Sequence, residues 1–274
     1  MFPNNNQEWF LNLKNTAKQD MSLGHLMQHR QMASNVLLFA NVENSGVGCW
    51  TTNKNIDNFT INHGVINGKK SWISGIPTAD YLAFHDNTGQ AFYVDLHDPG
   101  IEIEIQKLHG MEGTITGHVT FTNTPVQRLF NIWNTPKILC LHFYGFLTNG
   151  LGLAEGIYEC LLDHHIRSEY EEKKLKLQID TFELLWKSKL SELIETTDHI
   201  NLVRLNNEFF TMFSYNKKML LDLCYYAQMT HANHLYNGPD DTYQFDLYQK
   251  HKDGLLFSSH MYSFYVSLGR TIQY

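Results

Sequence analysis

Asn67-Gly68-Lys69-Lys70-Ser71-Trp72-Ile73-Ser74-Gly75, followed by Ala79-Asp80, is the stretch on which the reading of this chain turns. It follows the β-prone run Phe59–Val65, and the whole stretch Phe59-Thr60-Ile61-Asn62-His63-Gly64-Val65-Ile66-Asn67-Gly68 alternates well enough to read as one arm of a β-hairpin. Further β-prone runs flank it on both sides: Val36–Val42, Tyr81–His85, Ala91–Leu96, Ile101–Leu108 and His118–Thr122. Between the runs stand Asn44-Ser45-Gly46, Asn87-Thr88-Gly89 and Asp98-Pro99-Gly100, residues that supply turn conformers or a fixed φ. Short strands at this spacing, with no long helices alternating between them, predict a β-sandwich or a barrel over residues 36–130.

The pattern changes after residue 130. Leu139–His165, Leu175–His199, Asn206–Leu235 and Thr242–Gln273 carry apolar positions near helical spacing, and Asn237-Gly238-Pro239 is a helix stop. Four long helices joined by short turns describe a bundle over residues 131–274. Residues 1–35 hold a shorter helical segment. Glu8 to Lys18 reads as one helix, and Asp20-Met21-Ser22 as the start of another, because a short polar side chain caps free first-turn amides.

The composition bounds the function. Of 274 residues, 43% are hydrophobic and 18% charged, which is globular. A net charge of −7 argues against a general nucleic-acid binder, which presents a basic face to phosphates. No apolar run reaches the roughly 20 residues of a membrane helix, and MFPNNNQEWF lacks the basic and apolar regions of a signal peptide. Cys49, Cys140, Cys160 and Cys224 are scattered, as free thiols of a cytoplasmic protein would be. His231 and His234 are three apart and His164 and His165 adjacent, which is short of the three or four convergent ligands of a metal site, so none is expected.

Several motifs carry a family resemblance. The Asn67–Asp80 stretch resembles the middle-domain signature N-G-x-K-x-W-I-S/T, then A-D, of the acyl-CoA dehydrogenase superfamily. Glu43-Asn44-Ser45-Gly46-Val47-Gly48 is similar to its T-E-P-G-x-G loop, and Lys107-Leu108-His109-Gly110-Met111 to its K-x-G-x-R. Val119 to Val126 resembles V-x-F-x-x-V-x-V-P, and Gly150-Leu151-Gly152-Leu153-Ala154-Glu155-Gly156 the small-residue start of the family's bundle. Asp20, Ser22 and His29 match a D-x-S helix. The matches fall in family order over about residues 20–160.

The resemblance implies an α+β protein: an antiparallel β-barrel domain followed by a C-terminal four-helix bundle, with the N-terminal helical domain largely missing. It implies a flavin, FAD or else FMN, and a small-molecule substrate such as an acyl-CoA, in a homodimer or homotetramer. Trp72, Ile73 and Ser74 would meet the flavin, the indole packing on a ring face and the hydroxyl or a backbone N–H stabilising charge on the reduced ring. Gly46 and Gly48 would let backbone approach the ligand. Read without the resemblance, Trp72 is an ordinary core aromatic and the two glycines a tight turn.

Three departures complicate this expectation. Only about 35 residues precede the β-segment. The family's R-x-x-F-G segment, whose Arg holds the cofactor pyrophosphate, is echoed only by Arg167 and Tyr170, with glutamates following that repel a phosphate. The Y-E-G-T segment that carries the α-proton base is absent. The end of the chain, from Tyr248 through Lys252-Asp253 to His260, instead resembles the R-x-x-R-D…H ending of the flavin monooxygenase branch. His260 is then the candidate proton donor or base near the flavin, and otherwise a plain helix residue. Glu155 and Glu159, as replacement bases, read more simply as exposed or paired carboxylates. The functional expectation is an acyl-CoA dehydrogenase-like oxidoreductase. The alternatives are a flavin-dependent monooxygenase or a degenerate, non-catalytic member that serves binding or assembly.

Overall fold

A computed structural model describes residues 7–52, 56–108, 110–163, 168–237 and 249–257. The described elements are α1 (Gln7–Gln19), α2 (Met21–Phe39), β1 (Gly48–Thr51), β2 (Asn58–Asn62), β3 (Val65–Ile73), β4 (Tyr81–His85), β5 (Gln90–Asp95), β6 (Ile101–Ile105), β7 (Gly117–Pro125), β8 (Gln127–Asn131), α3 (Pro136–Asp163), α4 (Glu169–Glu195) and α5 (His199–Asn237). Residues 249–257 are also helical. The chain divides into two compact units, the first holding Leu26–Leu108 and Glu112–His142, and the second the described residues of Asn5–His25, His109–Met111 and Phe143–Tyr274.

The first unit holds the strands. They form two four-stranded sheets, β1-β4-β5-β8 and β2-β3-β7-β6. The expected closed, antiparallel barrel is therefore corrected: no described strand of one sheet pairs with the other, so the architecture is the sandwich alternative. One pairing is also parallel, Gly48 to Thr51 on β1 against Tyr81 to Phe84 on β4. A parallel pair needs a crossover connection, and β2 and β3 in the opposite sheet supply it.

Side-chain alternation explains why the sheets face each other. Leu82, Phe84, Phe92 and Val94 from one sheet share a single buried cluster with Ile66, Ile73, Val119 and Phe121 from the other. β4 is buried at all five positions, because Tyr81 and Ala83 on its other face lie under Met32, Ala33, Val36 and Leu37 of α2. That packing corrects the strand expected at Val36–Val42. The apolar run Val36-Leu37-Leu38-Phe39 continues the helical spacing of Met32 and Ala33, and a short apolar run alone does not reveal its period.

The second unit is helical. On α4 the buried residues Leu175, Ile179, Phe182, Trp186, Leu190 and Leu193 recur at three and four, one continuous stripe. The Trp186 Nε1–H donates to Thr148 Oγ1 of α3 at 2.8 Å, and the Tyr144 hydroxyl donates to Trp186 O, so the aromatic core is also polar-satisfied. The small residues of the Gly150–Gly156 stretch have a packing cause here: a Cβ at Gly152 would stand 2.2 Å from Lys14 O, and one at Gly156 2.3 Å from Lys18 O. α1 thus runs against α3 at a separation only glycine permits. Asp20 caps α2 as expected, accepting from Leu23 N–H at 3.0 Å. The fourth long helix expected, Thr242–Gln273, falls mostly outside the described residues.

Candidate functional site

The expected flavin residues sit where β3 ends. Lys70 pairs with Val119 and Ile73 with Gly117, so Ser71 and Trp72 together oppose the single residue His118. This is a β-bulge, the feature that re-aims a side chain in an otherwise regular ladder. Trp72 takes φ 57°, a left-handed conformation that a bulky residue adopts only when its surroundings enforce it. The residue is 40% exposed, while Ile73 is wholly buried in the sandwich core. The bland expectation of a core aromatic is therefore corrected at Trp72. Ile73, by contrast, has its side chain in the core and can offer a ligand only backbone.

Side chains brace the bulge. The Trp72 N–H donates to His118 Nδ1 at 3.3 Å, and the two rings meet edge to face at 5.5 Å. The Ser71 N–H donates to Asp57 Oδ1 at 2.8 Å. Asp57 Oδ2 accepts from Lys70 Nζ at 2.8 Å, and both of these side chains are fully removed from solvent. Burial pulls the Lys70 ammonium below its usual range, and the Asp57 charge pushes back. The half-buried Ser74 hydroxyl lies 3.3 Å from Thr116 Oγ1, which lies 2.8 Å from Thr114 Oγ1, and Gly75 N–H donates to Thr114 O. The end of β3 thus offers a part-exposed indole and, two residues on, a half-buried hydroxyl held against Thr116.

The glycine loop lies in the same unit and has its own cause. Asp80 Oδ2 accepts from Val47 N–H at 2.6 Å, while Asp80 N–H donates to Val47 O. A Cβ at Gly46 would lie 2.8 Å from the Asp80 carboxylate, and one at Gly48 2.2 Å from the Tyr81 ring. Packing against Asp80 and Tyr81 accounts for both glycines. A groove of about 860 Å³ opens beside the loop, lined by Leu37, Asn41, Glu43, Asn44 and Tyr81 among others.

Other expected residues fall in different places. Arg167 and His260 lie outside the described residues. Glu155 pairs with Lys14 at 2.8 Å and Glu159 with Lys18 at 2.5 Å. Burial draws Lys14 down, but its bonds to Glu155 and Glu183 outweigh that and leave it raised. Asp253 accepts from Met111 N–H at 2.5 Å and from Gln249 Nε2 at 2.9 Å. Met111 ends the stretch that resembles K-x-G-x-R, and Gly110 beside it approaches Lys252 O so closely that a Cβ would lie 2.7 Å away. Burial raises the Asp253 carboxyl, and the Met111 amide partly offsets it. His118, Thr116 and Asp57 carry no motif in the sequence that marks them as site residues. The only signal for them was the strand containing His118.

Comparison with solved structures decides the fold. Butyryl-CoA dehydrogenase from Megasphaera elsdenii superposes with a TM-score of 0.75 over 97% of this chain and 82% of its own, at 14% identity. The chain has the acyl-CoA dehydrogenase fold. Monooxygenases share it. TdsC from Paenibacillus sp. A11-2, solved with FMN and indole, gives 0.71 at 17% identity over 92% of this chain and 78% of its own. The methanesulfinate monooxygenase MsuC from Pseudomonas fluorescens gives 0.70 at 15% identity, with the same coverage. No protein-family model and no curated protein matches the sequence. Among the described residues no helix is long and apolar enough to cross a membrane.

Proposed function

We propose that this chain is a flavin-binding oxidoreductase, with Trp72 and Ser74 as its ring-contacting residues. The observation that carries the reading is the bulge at Ser71-Trp72, which spends conformational energy to leave an indole part-exposed two residues before Ser74. Strained, solvent-facing aromatic placement is unexplained by core packing and suits a flat, apolar ligand face. TdsC, which shares the fold, was solved with FMN, so FMN stands beside FAD as the cofactor.

A flavin supplies hydride or electron transfer between itself and a bound substrate. The residues of this chain bind and shield. The Trp72 indole would hold the flavin ring, with the Ser74 hydroxyl and the backbone of Ile73 as hydrogen-bonding groups for it, and the loop with Gly46 and Gly48 flanks the groove beside Tyr81. Arg167 is proposed for the pyrophosphate of FAD, and His260 for holding or moving a proton at the reacting atoms. The substrate is a small molecule, an acyl thioester in the dehydrogenase reading, and the assembly a homodimer or homotetramer in the cytoplasm. The β-region, residues 36–130, and the helical region, residues 131–274 read as a four-helix bundle, are its two domains, after a helical segment at 1–35.

The oxygenase reading has one specific observation in its favour. Glu155 and Glu159, the carboxylates considered as replacements for the dehydrogenase base, are engaged by Lys14 and Lys18. Adding FAD and FMN separately, desalting and recording the visible spectrum tests the flavin reading. A retained flavin band that disappears in the Trp72→Ala/Ser74→Ala variant supports it, and a colourless wild type overturns it in favour of a non-catalytic scaffold. Oxygen uptake with reduced flavin then separates oxygenase from dehydrogenase.

A further inference from the structure

The bulge at the end of β3 places two backbone amides where the regular ladder is interrupted. The half-buried Ser71 amide needs an acceptor and finds Asp57 Oδ1, while the exposed Trp72 amide donates to His118 Nδ1. The Asp57 carboxylate is also committed on its other oxygen to Lys70 Nζ, one residue earlier on the same strand. Lys70 Nζ donates in addition to Thr52 O at 3.2 Å and lies 5.2 and 5.1 Å from the ring centroids of Phe59 and Phe84. With both ionic side chains out of solvent, neither can swing away without stranding the other's charge. One carboxylate therefore grips two consecutive residues of β3 immediately before Trp72, and it holds the side of the bulge opposite His118.

We infer that Asp57 is a positioning residue for Trp72: through the Ser71 amide it fixes the bulge that presents the indole face to a flavin. The inference rests on the flavin reading of Trp72 for its ligand, but the positioning itself is a property of the protein alone. Asp57 acts through its bond to the Ser71 amide. Its use of a charged pair follows from the site: a neutral acceptor would meet the Ser71 amide, but Lys70 would then lose its counter-charge in the sandwich interior.

Asp57→Ala alone strands the Lys70 charge and confounds folding with positioning, so the test removes both charges together. Lys70→Met/Asp57→Asn keeps a side-chain oxygen for the Ser71 amide, and Lys70→Met/Asp57→Ala does not. The full chain is labelled with 5-fluorotryptophan, and the Trp72 resonance is assigned by its absence in Trp72→Phe. The remaining four tryptophans, Trp9, Trp50, Trp133 and Trp186, report on folding. The expected result is a wild-type Trp72 resonance in the Asn variant and a shifted or broadened one in the Ala variant, with the other four unchanged in both. FMN affinity, followed in parallel, is expected to fall about tenfold in the Ala variant relative to the Asn variant. An unmoved Trp72 resonance in the Ala variant, equal perturbation in both variants, or collapse of all five signals overturns the positioning role. If the wild type binds neither FMN nor FAD, the flavin reading fails while the Trp72 resonance still decides the role of Asp57.

Discussion

The Trp72 amide donates to Nδ1 of His118 at 3.3 Å while the His118 ring stands edge-on to the indole at 5.5 Å. An accepting Nδ1 places the imidazole proton on Nε2, so His118 is neutral in this arrangement. It holds the Trp72 backbone and one edge of its ring at once, from the strand facing the bulge. His118→Leu keeps the bulk and removes the acceptor. It is expected to weaken FMN binding by about 1 kcal/mol, roughly fivefold, with thermal stability nearly unchanged. Equal FMN affinity in titrations of variant and wild type would separate His118 from the site.

Gly152 is set by contact with another helix. Its α-carbon faces Lys14 O so closely that a Cβ would lie 2.2 Å away, and the obstacle is backbone, which cannot rotate aside. Gly152→Ala should therefore destabilise by about 1–3 kcal/mol despite alanine's better helix propensity. Denaturant unfolding measures this. A neutral or stabilised Gly152→Ala would mean that α1 does not lie against α3 at this point.

Lys14 is the cation between Glu155 and Glu183, at 2.8 and 3.0 Å. Lys14→Met leaves two partly shielded carboxylates without their shared counter-charge. The expected loss is about 2 kcal/mol, below the range for a wholly buried pair because Glu183 retains solvent. The triple variant Lys14→Met/Glu155→Gln/Glu183→Gln should recover much of it. No recovery in unfolding midpoints would assign the loss to packing against Trp186 and not to charge.

His85 gives the fold an acid sensitivity. Burial, reinforced by the charge on Lys70, depresses its imidazole from 6.5 to about 4, while its Nδ1–H donates to Asp86 O. The unfolded chain takes up a proton as pH falls through 6.5, and the folded chain does not until about 4. The stabilisation from neutral burial is thus full above pH 6.5 and lost on acidification through that window, about 3 kcal/mol in all. His85→Gln keeps an N–H donor and does not titrate, so its unfolding midpoint should fall less than that of the wild type between pH 7 and 4.5. Parallel pH profiles would contradict the assignment.

How much of this was legible in the sequence differs from element to element, for physical reasons. Tyr81–His85 is legible as a strand with the observed bounds, because polar and turn residues flank both ends. The long helices α3, α4 and α5 followed from apolar spacing. The end of α2 did not, since Val36-Leu37-Leu38-Phe39 has no polar residue to reveal its period. Sandwich and barrel share one strand pattern, and only the pairing of edge strands separates them. Trp72 was legible from its neighbours in Asn67-Gly68-Lys69-Lys70-Ser71-Trp72-Ile73-Ser74. Asp57 was not. It lies 14 residues before Ser71, just before the start of β2, and its grip on Lys70 exists only once β2 and β3 have paired. The glycines at 46 and 48 were legible as necessary, but the cause is Asp80 and Tyr81 packing on them.

The most direct measurement is a fluorescence titration of FMN with the wild-type protein and with Trp72→Leu. An indole stacked on the flavin ring quenches its emission by contact, so the wild type should quench FMN saturably and Trp72→Leu should leave most of the emission intact. Identical curves for the two proteins, or no saturable change with either, would contradict a flavin face at Trp72.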